Sequence, residues 1–192
     1  MPKKFIIILI LGLLICGILY FILLQHYPIA SVNLHFITLN SFEKDYMAAD
    51  NYYRSLLKTY DKNQAPVLDS PEIQQEISRA VLERSVENIL IHQELKKQLK
   101  AGELKKMLDS RIQEVLKGKD IEKQVKTLYG LSMDDFKERI LRPEAEREII
   151  TGRFFLENKN FDDWLKEAKK QAQVAILLSN LKWSGSGVVV SK

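Results

Sequence analysis

One cysteine and three histidines are all that this 192-residue chain offers for thiol or soft-metal chemistry. Cys16 sits inside an apolar run, so the remainder of the chain carries no disulfide, and a small disulfide-stapled scaffold is excluded. His26, His35 and His92 form no H-E-x-x-H pair, and without a second cysteine they supply no zinc ligand set. No G-x-S-x-G nucleophile elbow occurs. The "GSGVV" near the C-terminus lacks the Lys-Ser/Thr of a phosphate loop. An excess of one charge is missing too: without Lys3 and Lys4 the chain holds 27 basic and 25 acidic residues. That balance argues against nucleic acid as a partner, which favours a basic stripe. "ELKKQLK" and "KEAKK" read as solvated helix faces. "EAERE", Glu144 to Glu148, gathers three carboxylates, but Arg147 at helical spacing makes solvated ion pairing the expectation rather than acid–base catalysis. No catalytic residue, cofactor or metal site is predicted, and the chain is read as not an enzyme.

What is present begins with Phe5 to Leu24, "FIIILILGLLICGILYFILL", 20 consecutive residues without a charge. A helix of that length spans roughly 30 Å, the hydrocarbon thickness of a bilayer. A cleavable signal has a shorter apolar core, about 7–15 residues, and a small-x-small site. "PIA" at Pro28 to Ala30 is a poor one, and Ile15 before Cys16 disfavours a lipoprotein signal. An uncleaved anchor is therefore expected, with a cleaved signal as the alternative. Lys3 and Lys4 precede the span and the next charged residue is Glu43, so the positive-inside rule predicts a cytoplasmic N-terminus and an extracytoplasmic remainder. The predicted organisation is a cytoplasmic stub over 1–4, an anchor over 5–24, a helical domain over 31–183 and a flexible tail, "SGSGVVVSK", over 184–192.

The domain reads as a series of helices. "SVNLHFITLN", Ser31 to Asn40, has strand composition, and Asn40 with Glu43 resembles a capping box. Phe42, Tyr46, Ala49, Tyr53, Leu56 and Tyr60 then share one stripe, predicted to pack against the next helix. That long helix runs from about Pro71 to Lys100, with Leu82, Val86, Ile89 and Leu90 inward and Gly102 ending it. A shorter helix, Glu103 to Leu116, sets Leu104, Leu108, Ile112 and Val115 at helical spacing, and another carries Ile121, Val125 and Leu128. In "LYGLSMDDF" Gly130 closes one helix in the left-handed region, Ser132 and Asp135 cap the next, and Leu131 and Phe136 form a hydrophobic staple. Pro143 predicts a kink or restart at Arg142–Pro143. After a helix to about Asn158, Asn160 and Asp163 make another capping pair before "FDDWLKEAKKQ". "QVAILLSN" alternates like a strand and is paired with the one at Val32 to Leu39.

Motifs in this order resemble a known family. "VNLHFITLNSFEKDYMAADNYY", "RAVLERSVENILIHQELKK", "LYGLSMDDFKERILRP" and the closing "FDDWLKEAKKQAQVAILL" are similar to segments of the N-terminal domain of SurA-type periplasmic chaperones, shared with PpiD and PrsA. The resemblance covers about Val32 to Trp183. It implies a mainly α, SurA-N-like domain with a short two-stranded β pairing, preceded by one transmembrane helix. It also implies a kinship with the peptide-binding domain of trigger factor. Such domains cradle unfolded or partly folded exported proteins. Many relatives insert a parvulin prolyl isomerase domain before the closing helix; here only the few residues around Asn158–Asn160 lie at that place, so the isomerase is expected to be absent. Leu34 stands where the family has a turn glycine, which predicts a different opening turn because a leucine in the left-handed region costs about 1 kcal/mol or more.

The function implied is that of a membrane-anchored holdase. Its partners would be unfolded or partly folded polypeptide clients, and the lipid bilayer through residues 5–24. Tyr52 and Leu57, off the aromatic stripe, and Met107, Met133 and Phe155, near helix edges, are the candidate client-binding side chains, since flexible methionines and amphipathic aromatics suit varied peptides. An isomerase-related enzyme with an unrecognised site and an envelope scaffold for one folded partner are the alternatives.

Overall fold

A computed structural model describes residues 27–60 and 65–191. The predicted anchor over 5–24 and the stub over 1–4 lie outside the described residues. Among the described residues no helix is long and apolar enough to cross a membrane.

The chain opens with a hairpin rather than the single strand expected. β1 (Pro28–Val32) and β2 (His35–Thr38) pair antiparallel, with Val32 opposite His35. The turn between them places Asn33 at φ 47° and Leu34 at φ 69°, both in the left-handed region of a type I′ turn. The left-handed turn that Leu34 argued against therefore forms. Asn33 explains how: its amide side chain donates to Gln93 at 2.9 Å and accepts from the Gln173 N–H at 2.9 Å, and its own N–H donates to Gln173 O. Contacts from two distant segments hold the turn without a glycine. β1 begins at Pro28, three residues before Ser31.

α1 (Leu39–Tyr60) follows at once. Asn40 lies inside it; the hydroxyl of Thr38 accepts from the Ser41 N–H instead, one residue-pair earlier than the capping box predicted. After a 3₁₀ turn (Ala65–Asp69), α2 (Pro71–Gln98) is capped by Ser70, whose hydroxyl accepts from Ile73 N–H, with Pro71 in the first turn. α2 ends at Leu99, and Gly102 is not its terminator but part of α3 (Ala101–Leu116). α4 (Glu122–Tyr129) closes on Gly130 at φ 70°. A side chain on Gly130 would meet the Asn51 amide at 2.6 Å, so the residue answers both to its dihedral and to α1 packed beside it.

Ser132 caps α5 (Met133–Phe136), accepting from the Asp135 N–H at 3.1 Å, and Leu131 and Phe136 are both buried as the staple requires. The chain then passes through a π-helical turn (Lys137–Leu141) directly into α6 (Arg142–Leu156). The π turn takes up the amide that Pro143 lacks, and a regular α-helix starts again at Arg142 with Pro143 in its first turn, at the place where the proline predicted a kink or restart. Asn160 caps α7 (Phe161–Gln171) through the Asp163 N–H. β3 (Val174–Ile176) adds to β1, giving a sheet of order β2-β1-β3. The last segment, expected to pair with a strand at Val32 to Leu39, pairs instead with β1 through Ala30, Ser31 and Val32, and β2 lies on the other edge of the three-stranded sheet. The 184–192 segment is not a free tail: β4 (Leu181–Trp183) and β5 (Val188–Val190) form a hairpin in which Leu181 and Val188 are buried, and Val188 O accepts from Arg79 on α2.

Three clusters divide the core. Ile29, Ala30, Val32 and Ile37 of the sheet pack with Leu181 and Val188 on Leu82, Val86 and Leu90 of α2. One residue further round the same helix, Ile91 and Leu95 face Leu104, Leu108, Ile150 and Phe154. The 100° step between Leu90 and Ile91 lets α2 serve both clusters. Ala48, Val125, Leu131 and Phe136 make the third, locking the capped joint onto α1. The molecule is mainly helical, with α2 as its shared spine.

Candidate functional site

Between α1, α2 and the α4–π-turn segment lies a groove of about 790 Å³. α1 explains it. Phe42 and Ala48 are buried, but further along the predicted core stripe Tyr53 is 46% exposed rather than packed. Ala49, Tyr52 and Tyr53 form one wall, Ile73, Ile77 and Ala80 of α2 the other. Tyr129 closes the side, its ring stacked on Tyr52 with centroids 5.1 Å apart and planes within 8°. Tyr129 leans in turn on Phe136 at 5.3 Å. The aromatic surface is thus held in place from behind by the third core cluster. Burial, then the neighbouring Tyr52, pushes the Tyr129 hydroxyl above its usual range, so it remains a neutral donor.

The far end of the groove is charged, and the charges are matched. Arg139 reaches Asp45 at 2.8 Å, Ser41 O at 3.2 Å and Asp135 at 3.3 Å. Burial raises Asp45 above the usual carboxylate range in spite of Arg139. Arg147 meets Glu87 at 2.7 Å, and Arg84 pairs with Glu144. Lys169, from α7, bridges Glu83 and Glu87 beneath them. Burial alone would push Glu87 up; Lys169 and Arg147 outweigh it and hold the carboxylate below its usual range. Burial likewise opposes the charge on Lys169, and Glu83 and Glu87 overcome it, raising its pKa.

These pairs revise two sequence readings. Lys169 of "KEAKK" is not solvated; its side chain is only 11% exposed. In "EAERE", Glu144 and Glu148 pair across helices with Arg84 and Arg111, not with Arg147, while Glu146 is buried against His92 Nδ1 at 2.8 Å. Helical spacing shows which side chains are neighbours on one helix, but here the partners lie on the facing ones. Among the described residues no group of three or more potential metal ligands comes together.

Of the candidate client-binding residues, only Tyr52 lines the groove. Leu57 is half-buried one turn further along α1, outside it. Met133 is half-buried against the Val125–Phe136 cluster. Met107 lies with Ser110, Arg111 and Ile149 in a shallow depression on α3 and α6. Phe155 stands 79% exposed at the end of α6. The structure therefore does not unite the five. The residues that periodicity missed are Tyr53, assigned to the core stripe, and Tyr129, whose position beside the Gly130 cap was the one available signal.

No family model, curated protein or solved structure matches this chain.

Proposed function

We propose that this protein is a membrane-anchored, extracytoplasmic holdase with a SurA-N-like domain, binding unfolded or partly folded exported proteins without isomerising their prolines. The observation that carries the reading is the tyrosine-walled groove. It offers aromatic and aliphatic surface to an extended segment, and its polar end consists of charges already paired with one another. A passing chain can bury apolar side chains there without having to neutralise a free charge. Tyrosine contributes large contact area at small conformational cost, which suits partners of varied sequence. Binding by apolar burial alone needs no cofactor and permits release without nucleotide hydrolysis. The uncharged Phe5–Leu24 run, with Lys3 and Lys4 before it, supports the anchor and its orientation. The ordered motifs between Val32 and Trp183 support the family.

The test is suppression of aggregation. The full chain, held in lipid nanodiscs, should keep an unrelated unfolded protein soluble at near-stoichiometric amounts and should not speed isomerisation of a proline peptide measured in parallel. Isomerisation would point instead to an enzyme with an unrecognised site. Neither activity, with saturable binding to one folded envelope protein, would point to a scaffold.

A further inference from the structure

The outer face of the sheet is unlike the rest of the surface. Phe36, Ser31 and Ala175 form one cross-strand row, each opposite the next in the β2-β1-β3 register. Leu177 lies two residues beyond Ala175, directly after β3, and its N–H donates to Ile29 O. The opposite face, through Ala30, Ile37 and Ile176, packs into the core. Phe36 is 68% exposed, Leu177 60% and Tyr27 54%, and Leu34 at the turn is 85% exposed. No Asp, Glu, Lys or Arg occurs between residues 27 and 42, nor between Lys170 and Lys182. Leu34 is the sharpest of these features. It holds an unfavourable left-handed conformation and contributes almost no packing, so its side chain has no role within the described fold.

We propose that this charge-free face lies on the lipid surface as a second membrane contact. The inference rests on reading residues 5–24 as the span. If the run ends at Leu24, four residue steps lead to Pro28, and a chain that short reaches at most about 14 Å. The sheet is therefore tethered within reach of the headgroups, and its exposed phenylalanine and leucines are side chains that settle at that boundary. A charged face so close would be repelled into water; this one carries no Asp, Glu, Lys or Arg. The contact orients the domain and fixes which way the groove opens above the membrane.

The full chain in phosphatidylcholine vesicles tests this with spin labels at single cysteines. Labels on Leu34→Cys and Phe36→Cys, each with Cys16→Ser, should relax with oxygen and lose relaxation by a water-soluble nickel chelate. A label on Gln113→Cys, on the exposed polar side of α3, should show the reverse. The native Cys16, labelled alone, reports the span. Cys16 in lipid with positions 34 and 36 open to nickel would overturn the surface contact and leave the anchor standing. Cys16 open to nickel would overturn both. Labels at 34 and 36 shielded from both reagents, with spin–spin broadening, would assign the face to a second copy of the chain and overturn the lipid contact.

Discussion

The groove and the outer face of the sheet both expose aromatic side chains, but they are built in opposite ways. In the groove, Tyr52 stacks on Tyr129, which leans on Phe136, and the adjoining charges Asp45, Glu87, Arg139 and Arg147 are paired. On the sheet, Phe36, Leu34 and Leu177 stand exposed in segments that hold no Asp, Glu, Lys or Arg. A surface that mixes supported aromatics with neutralised charge tolerates many polypeptides and releases them. An uncharged surface beside an apolar run suits hydrocarbon. On the proposed reading, the charges around each patch, rather than its aromatic content, decide which partner it would take.

The largest effect is expected at the charged end of the groove. Lys169→Met removes the cation shared by Glu83 and Glu87 and leaves two partly buried carboxylates under-compensated. Removing one partner of a buried pair costs about 3–5 kcal/mol, and the low end of that range is expected here because Arg147 and Arg79 still reach them. Urea denaturation would read the loss, while lipid contact at position 36 should be unchanged.

Acid should act on the same wall. Glu87 is held below the usual carboxylate range, so its contribution is fully present above that range and is lost as pH falls through its folded value. Lys169 is raised, so its contribution is present below the usual lysine range and is lost as pH rises through its folded value. Asp45, raised by burial, has the opposite sign to Glu87 and favours folding when protonated, which blunts the acid transition without reversing it. A stability–pH curve falling at both extremes checks this; a curve flat on the acid side would contradict the pairing of Glu87.

Smaller effects separate the two surfaces. Tyr129→Ala removes the ring that supports Tyr52, an aromatic pair worth about 0.5–1.5 kcal/mol beyond its buried area. It should weaken capture of unfolded protein about tenfold, the equivalent of roughly 1.4 kcal/mol, in a fluorescence titration. Phe36→Ser should leave that titration unaltered. Least of all, Leu34→Gly creates the Asn-Gly pair that a type I′ turn prefers and relieves the left-handed leucine. It should raise stability by up to about 1 kcal/mol in thermal unfolding while reducing lipid contact. A loss of stability would show that Leu34 packs within the fold.

Local chemistry was legible in the sequence at most of the caps, though not at Asn40, where Thr38 caps instead, nor at Gly102, which lies inside α3. Gly130, Ser132 and the Leu131–Phe136 staple took their expected places, as did Asn160 with Asp163, because a cap is decided by three or four adjacent residues. The Asp135 carboxylate accepts from the Ser132 hydroxyl rather than from its backbone N–H. Readings that depended on distant partners fared worse. Tyr53 kept helical spacing with the buried stripe but stands exposed on the wall of the groove, because α4 packs on α1 through Asn51, Tyr52 and Ser55 instead. Lys169 read as solvated because Glu83 and Glu87 lie more than eighty residues away. The Leu34 turn forms because Gln93 and Gln173 hold Asn33, and nothing near residue 33 announced them. "GVVVS" read as tail because glycine and serine surround it; Val188 is buried only once α2 is beneath it. The groove belongs wholly to this second kind, assembled from α1, α2 and a tyrosine that precedes a cap.

A photo-crosslinking side chain placed at Tyr53, in the full chain in nanodiscs, tests the central claim most directly. With an unfolded client present, the account predicts adducts at position 53 that disappear when the same client is folded. Absence of adducts at position 53 under conditions where aggregation is suppressed, or equal adducts with folded and unfolded protein, would contradict it.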